Sequence, residues 1–388
     1  MMKRRIAMIA YTVLSLDSRV IREAKAAVEG GYTVDVYTLN ETARDKINGV
    51  NIIYSRQWQY KGKNKIKFAL SYLRFFMFCF CNLTLKSFSK KRYDIIHVNN
   101  MPNFLIFSAL FAKISGSKII MDVHDVMPEL FAQKFGKDIT SKFIKLLYLE
   151  ERYSLRFADR VISVNSLCTE RFIQNKVNKN QYTEIVNAAD EDVFKPVQDK
   201  VFQKDLLTVI YPATLAIKRN GIDFLLDVMY KIKSLKVYNI KLSIFGGGED
   251  AKLLEVMIKE RELENFVYFS GGFVNYDVLN KELEKSSVGI IPLPRGYSTD
   301  FQTPVKMHEY FIKRLAVIAA DTKLIKKEFS DIVFLFEAGN VDDCVERLIT
   351  LYNNFDLLNM YSQKGFDYYL NHTWTKYKND YINLLNSL

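Results

Sequence analysis

Short runs of β-branched and aliphatic residues alternate with helical stretches along almost the whole chain, and no other feature restricts its fold so tightly. The first runs are 6–14 (IAMIAYTVL), 33–39 (TVDVYTL), 51–55 (NIIYS) and 94–100 (DIIHVNN). Others follow at 118–125, 159–165 and 183–188. They are apolar on both faces, as parallel strands buried between two helical layers must be. Residues 20–31 have helical spacing and end in Gly30-Gly31, so a β-α-β unit opens the chain. Residues 189–205 turn polar and irregular, which reads as a linker. A second series of strands then begins at 206–213 and continues at 240–248, 266–271, 288–293, 315–321 and 333–336. The expected architecture is α/β, with two doubly wound, Rossmann-like domains over 1–188 and 206–370. The amphipathic stretch at 371–388 is expected to form a closing helix that packs back on the first domain. In such folds ligands sit beyond the carboxyl ends of strands and in the cleft between domains, so function is sought in those loops.

Composition narrows the classes further. At 388 residues with 49% hydrophobic and 26% charged, the chain has ample core, which excludes disordered and fibrous classes. The net charge of +11 is unevenly spread: residues 1–200 carry +12 and residues 201–388 carry −1. Residues 51–100 alone hold +9, which points to an anionic partner there. Cys79, Cys81, Cys168 and Cys344 make no C-x-x-C pair, so neither a zinc site nor a disulfide framework is expected and a reducing cytoplasm is. The apolar start is short and ends at Asp17-Ser18-Arg19, reading as a first strand rather than a signal peptide. No stretch reaches the ~18 uninterrupted apolar residues of a spanning helix.

The first β-α turn, Tyr11 to Arg19, contains no glycine, which disfavours a dinucleotide fingerprint. Gly246-Gly247-Gly248 follows a strand and lets either a ligand or the backbone itself come close. The most informative stretch is 299–321, TDFQTPVKMHEYFIKRLAVIAAD. Thr303 suits an N-cap and Pro304 the first helical position, so a helix should start there. Its unpaired N–H groups and dipole make an anion site directly after a strand. Lys306 opposes that dipole in the first turn and makes sense if a diphosphate sits at the helix end. Glu309 then presents a carboxylate able to accept both hydroxyls of a ribose.

This stretch resembles the S/T-P-x-K-x-x-E-Y segment of family-four glycosyltransferases, retaining enzymes of GT-B fold. DSRVIREAKAAVEGGYTVDVYT, DVHDVMPELF, EIVNAADEDVFKP, VIYPATLAIKRNGIDFLLDV and LSIFGGGED resemble further segments of that family, in the expected order over nearly the whole chain. The resemblance implies that Glu309 holds the donor ribose. The first glutamate of the family's Glu-x7-Glu pattern falls on Phe301, with Asp300 beside it, which is a departure. Lys306 matches the lysine at this helix start, where Gln302, Thr303 and Pro304 also border the donor. Lys218 or Arg219 matches the cation that neutralises the diphosphate, and Ala213 stands where glycine is usual. Gly247, Phe273 and Val274 fall where the backbone meets the nucleotide. His124 and Asp125 match the pair facing the donor sugar, and Asp17 and Arg19 lie on the acceptor side. The D-x-D pattern at Asp190-Glu191-Asp192 reads as a solvated acidic loop, since the resemblance implies no metal and no cofactor.

The expected function is retaining transfer of a sugar, from a UDP-sugar for preference, to a saccharide or lipid-linked acceptor in polysaccharide biosynthesis. Residues 66–89 place Lys67, Ser71, Arg74, Asn82 and Lys86 near one helical stripe beside a wide apolar face. Lys61, Lys63 and Lys65 precede it, and Lys90, Lys91 and Arg92 follow. That pattern predicts an anionic membrane surface as partner of residues 61–92, on the cytoplasmic side, and no nucleic acid. Two rival readings are a sugar-nucleotide 2-epimerase of the same fold and a basic membrane or nucleic-acid adaptor without catalysis.

Overall fold

The computed structural model describes residues 3–42, 46–60, 62, 64–174, 178–217 and 220–388. The chain divides into two compact units, one of residues 1–187 with 376–388, the other of residues 188–375.

In the first unit the strands are β1 (Arg5–Ile9), β2 (Thr33–Thr38), β3 (Val50–Tyr54), β4 (Ile95–Asn99), β5 (Lys118–Val123), β6 (Arg160–Ser163) and β7 (Tyr182–Glu184). Its helices are α1 (Ser18–Glu29), α2 (Lys65–Ser87), α3 (Leu110–Ile114), α4 (Met127–Phe135), α5 (Lys142–Phe157) and α6 (Ser166–Gln174). The seven strands are all parallel, in the order β3-β2-β1-β4-β5-β6-β7. Every strand of this unit expected from sequence is present. The first is shorter than 6–14, because beyond Ile9 the chain turns and reaches a 3-10 turn at Leu14–Leu16. Asp17 starts α1 by accepting from the Val20 N–H at 3.2 Å, and Gly31, at φ +89°, releases the chain from its end.

Right-handed crossovers settle the layers. The β1-to-β2 step runs one way along the sheet, and the three steps from β3 to β6 run the other. Hence α1 covers one face, while α2, α3 and α5 share the opposite one.

The second unit contains β8 (Leu207–Pro212), β9 (Ile240–Phe245), β10 (Val267–Phe269), β11 (Val288–Ile291), β12 (Ala316–Ala320) and β13 (Phe334–Phe336). Between and after them lie α7 (Ile222–Ser234), α8 (Ala251–Glu260), α9 (Tyr276–Lys285), α10 (Val305–Ile312), α11 (Lys323–Phe329), α12 (Val341–Asn353) and α13 (Phe355–Asn371). The parallel order is β10-β9-β8-β11-β12-β13. Alternate side chains feed two cores: Val209 and Tyr211 face one, Ile210 the other. Residues 189–205, expected to be a linker, are packed into this unit. Phe194 enters one core and Phe202 the other, which a solvated linker would not do. The final helix, α14 (Trp374–Asn386), belongs mostly to the first unit: Ile382 lies against Gly30, and Lys378 pairs with Glu29 at 2.9 Å.

One expectation is corrected by α2. Its residues 66–87 are long and apolar enough to cross a membrane by length and composition. Counting uninterrupted apolar residues missed this, because Arg74 and a few small polar residues break the run without making it hydrophilic.

Candidate functional site

Strand order in the second unit reverses between β8 and β11, so the loops after these two strands diverge and leave a crevice at their carboxyl ends. Helix α10 follows β11 and is locked to both strands. The Tyr310 hydroxyl donates to the Ile210 carbonyl at 3.2 Å and lies 3.4 Å from that of Ile290. Only glycine permits this at position 289, where a Cβ would stand 2.2 Å from the Tyr310 ring. The helix begins one residue later than expected. Pro304, with φ −65° and ψ 121°, occupies the cap position, and no side chain caps the helix there. Thr303 is therefore not the N-cap; proline's fixed φ serves the extended cap as readily as the first turn.

The cap residue thus offers no side-chain acceptor to the first N–H groups of α10, and Lys306 stands among them. Its Nζ lies 4.0 Å from the centroid of the Tyr211 ring at the end of β8. Burial pushes its pKa down to about 8, against which Glu309, one turn later, pulls upward. Lys306 makes no ion pair among the described residues. A half-buried ammonium on an aromatic face, at a helix end that itself favours anions, is a site for negative charge. Glu309 is half-buried on the same helix.

Around this helix end the expected donor residues separate into groups. Asp300 sits on a 3-10 turn, Thr299–Phe301, and its Oδ1 accepts from the Lys323 N–H at 3.3 Å, so it helps to start α11. Gln302 ends that turn and is half-buried. In the turn after β9, a Cβ on Gly246 would meet the Ala213 carbonyl at 1.8 Å, and one on Gly247 the Phe273 ring at 2.9 Å. Gly246 is required by the chain's own backbone, whereas a side chain at 247 would push the Phe273 ring aside. Phe273 is 72% exposed and Val274 packs on the core beneath it. Lys218 and Arg219 lie outside the described residues.

In the first unit, His124 and Asp125 follow β5. Both of their N–H groups point at Asn100 Oδ1, at 2.8 and 3.4 Å. His124 Nε2 lies 2.9 Å from Asp122 and 3.1 Å from Asn99 Oδ1. Both neighbours are acceptors, so Nε2 carries the proton and Nδ1 is left to accept. Asp17 is the N-cap of α1. Arg19 is 4% exposed and is not placed to touch an acceptor. It grips Asp122 with two bonds of 2.8 and 2.9 Å, donates to the Ile185 carbonyl and lies 3.2 Å from Glu23. Burial turns this arginine inward, since its partner Asp122 has no access to solvent.

Sequence reading missed the cluster around that pair. Glu23, His97, Asn99, Asp122 and Tyr381 are buried together in the first unit. Although burial favours the acid, Arg19 and His124 hold Asp122 well below the usual carboxylate range. Glu23 is raised well above it by burial and by Asp122. His97 is pushed down to about 4 by burial and is neutral. The signal was present in part: His97, Asn99 and Asp122 are polar residues inside apolar strand runs, and Arg19 and Glu23 sit at i, i+4. Among the described residues, Glu23, His97 and Asp122 are the group spaced for metal ligation. Arg19 already occupies the Asp122 carboxylate and lies beside Glu23. In the D-x-D segment Asp190 accepts from the Asp192 N–H, and Glu191, between the two aspartates, accepts from Tyr369 and Thr375.

Comparison with known proteins agrees with this fold. A family profile described as Glycosyltransferase Family 4 matches residues 17–193, and one described as Glycosyl transferases group 1 matches residues 195–367. No curated protein matches the chain in sequence. Among solved structures, sucrose-phosphate synthase from Thermosynechococcus elongatus superposes with a TM-score of 0.76 at 17% identity, covering 99% of each chain. A trehalose-6-phosphate protein from E. coli, bound with UDP-2-fluoro glucose, gives 0.73 at 10% identity, again over 99% of each chain. Anabaena HepE in complex with UDP-glucose gives 0.68 at 14% identity, covering 99% of this chain and 100% of that one.

Proposed function

Because this chain belongs to the family-four glycosyltransferases, with two Rossmann-like domains of GT-B type, we propose that it transfers a hexosyl group from a UDP-sugar with retention and without metal. The observation behind this reading is Lys306, a half-buried cation at the start of α10 with no ion pair among the described residues. When the glycosidic bond breaks, negative charge collects on the departing diphosphate. The α10 N–H groups and Lys306 are already oriented to receive it, so little reorganisation is needed. Glu309 takes the ribose hydroxyls, and the exposed ring of Phe273 borders the base. His124 Nδ1 accepts a hydrogen from a sugar hydroxyl, with Asp122 fixing the tautomer. Structural neighbours that bind UDP and UDP-glucose support the donor class. The acceptor is assigned to the first unit as a saccharide or lipid-linked saccharide of a surface polysaccharide, met at the cytoplasmic side of a membrane.

The test is a panel of nucleotide sugars, read first by thermal shift and then by NMR of the product formed on a saccharide acceptor. The expected result is stabilisation by UDP-sugars and a product with the donor's anomeric configuration. Turnover of UDP-N-acetylglucosamine without any acceptor would shift the reading to an epimerase. Absence of any nucleotide response would leave an adaptor.

A further inference from the structure

The outer side of the helical layer formed by α2, α3 and α5 is apolar. On α2, Ile66, Leu70, Leu73, Met77 and Leu85 are 46–75% exposed and recur at helical spacing as one stripe. Its inner side is filled by buried Phe75, Cys79 and Leu83, so the helix is apolar on two opposite sides, one of which meets solvent. Helix α5 repeats the arrangement. Phe143, Leu146, Leu149 and Tyr153 are 45–60% exposed along one side, while Ile144, Glu151 and Leu155 are buried on the other. Both helices pack on the segment between β4 and β5: Phe76 meets Phe104 at 5.9 Å, and Phe157 meets Phe107 at 5.3 Å. From that segment Leu110 and Ile114 add 40% and 72% exposed side chains.

Cations border these stripes. Lys67 and Arg74 lie beside the first, Lys142 and Lys145 beside the second, and Lys90 and Lys91 follow α2, all exposed. Among the described residues of the three helices, no exposed one is acidic. We propose that this face lies flat on an anionic phospholipid surface, with α5 as a second anchor beside α2. Apolar side chains enter the acyl boundary while the cations meet the headgroups. Two copies of the chain joined by this face would set cations against cations. Spanning is disfavoured as well, because crossing would strip Phe75, Cys79 and Leu83 from the core and Lys86 from Asp35, which it meets at 2.8 Å. The inference stands apart from the proposed sugar transfer.

The test is co-sedimentation of the full chain with vesicles of phosphatidylcholine alone and vesicles containing phosphatidylglycerol. The substitutions L146Q/L149Q and L73Q/M77Q remove exposed apolar groups, and K142Q/K145Q removes charge only. Wild type should bind the phosphatidylglycerol vesicles, less so at high salt, and each variant should bind about tenfold more weakly or worse. Circular dichroism and urea unfolding, measured alongside, report that the variants fold. Equal binding to both vesicle types, or unchanged binding by L146Q/L149Q and K142Q/K145Q, would overturn the proposal. So would a lipid-free dimer abolished by L146Q/L149Q, which would assign the face to a second copy.

Discussion

Tyr381, on the last helix of the chain, bonds His97 Nδ1 at 2.8 Å on the central strand of the first unit. Both residues are fully buried, and 284 positions separate them. The terminal helix is thereby tied to the polar cluster that holds Asp122 and, through it, His124.

Replacing Tyr381 with Phe removes that hydroxyl and leaves a buried imidazole nitrogen without its partner. The cost should be about 1–3 kcal/mol of first-unit stability. Urea unfolding measures it. UDP affinity should be unchanged, since the residues proposed to bind the nucleotide lie in the other unit.

Glu309→Ala should weaken UDP binding without unfolding the protein. Two hydrogen bonds to a carboxylate contribute about 1.5–3 kcal/mol each, so a loss of about a hundredfold or more is expected. Titration calorimetry with UDP reads it, and unchanged affinity would remove Glu309 from the donor site.

The affinity for UDP should fall as pH rises above about 8. Burial lowers Lys306 to about 8 in the free protein, and a bound diphosphate raises it again. Below pH 8 the ammonium is charged before binding. Above it, binding must take up a proton, and affinity drops by about tenfold per pH unit until the bound-state value is reached. Lys306→Gln should bind more weakly and show no such slope.

Turnover should survive EDTA, because a helix end with Lys306 is proposed to receive the leaving group's charge. Loss of activity on chelation, restored by magnesium or manganese, would overturn that account.

The sheets were legible because buried parallel strands must be apolar on both faces, and runs such as 118–125 and 315–321 have few other uses. The start of α10 was legible to within one residue, because proline and lysine beside a strand end leave few alternatives. The orientation of α2 was not legible. A helix apolar on two opposite sides does not reveal which of them is covered, so nothing in its spacing says that Phe75 turns inward and Leu73 outward. Lys86, read as part of a solvated stripe, instead turns to Asp35, a residue 51 positions away. Arg19 was misjudged for the same reason: its partner Asp122 lies 103 positions away, on a strand whose neighbours suggest only apolar packing. Local pattern specifies elements, whereas these pairings depend on which strands become neighbours.

The first unit is discontinuous in sequence, since residues 376–388 complete a body whose other strands and helices all precede Ala188. During synthesis the second unit, one unbroken stretch, has all its residues available before the first does. The cluster around His97 waits for Tyr381, which lies beyond the whole of the second unit in sequence. Until translation reaches those residues the polar centre of the first sheet lacks its last partner, so the unit whose strands come first is the later one to have all its residues in hand.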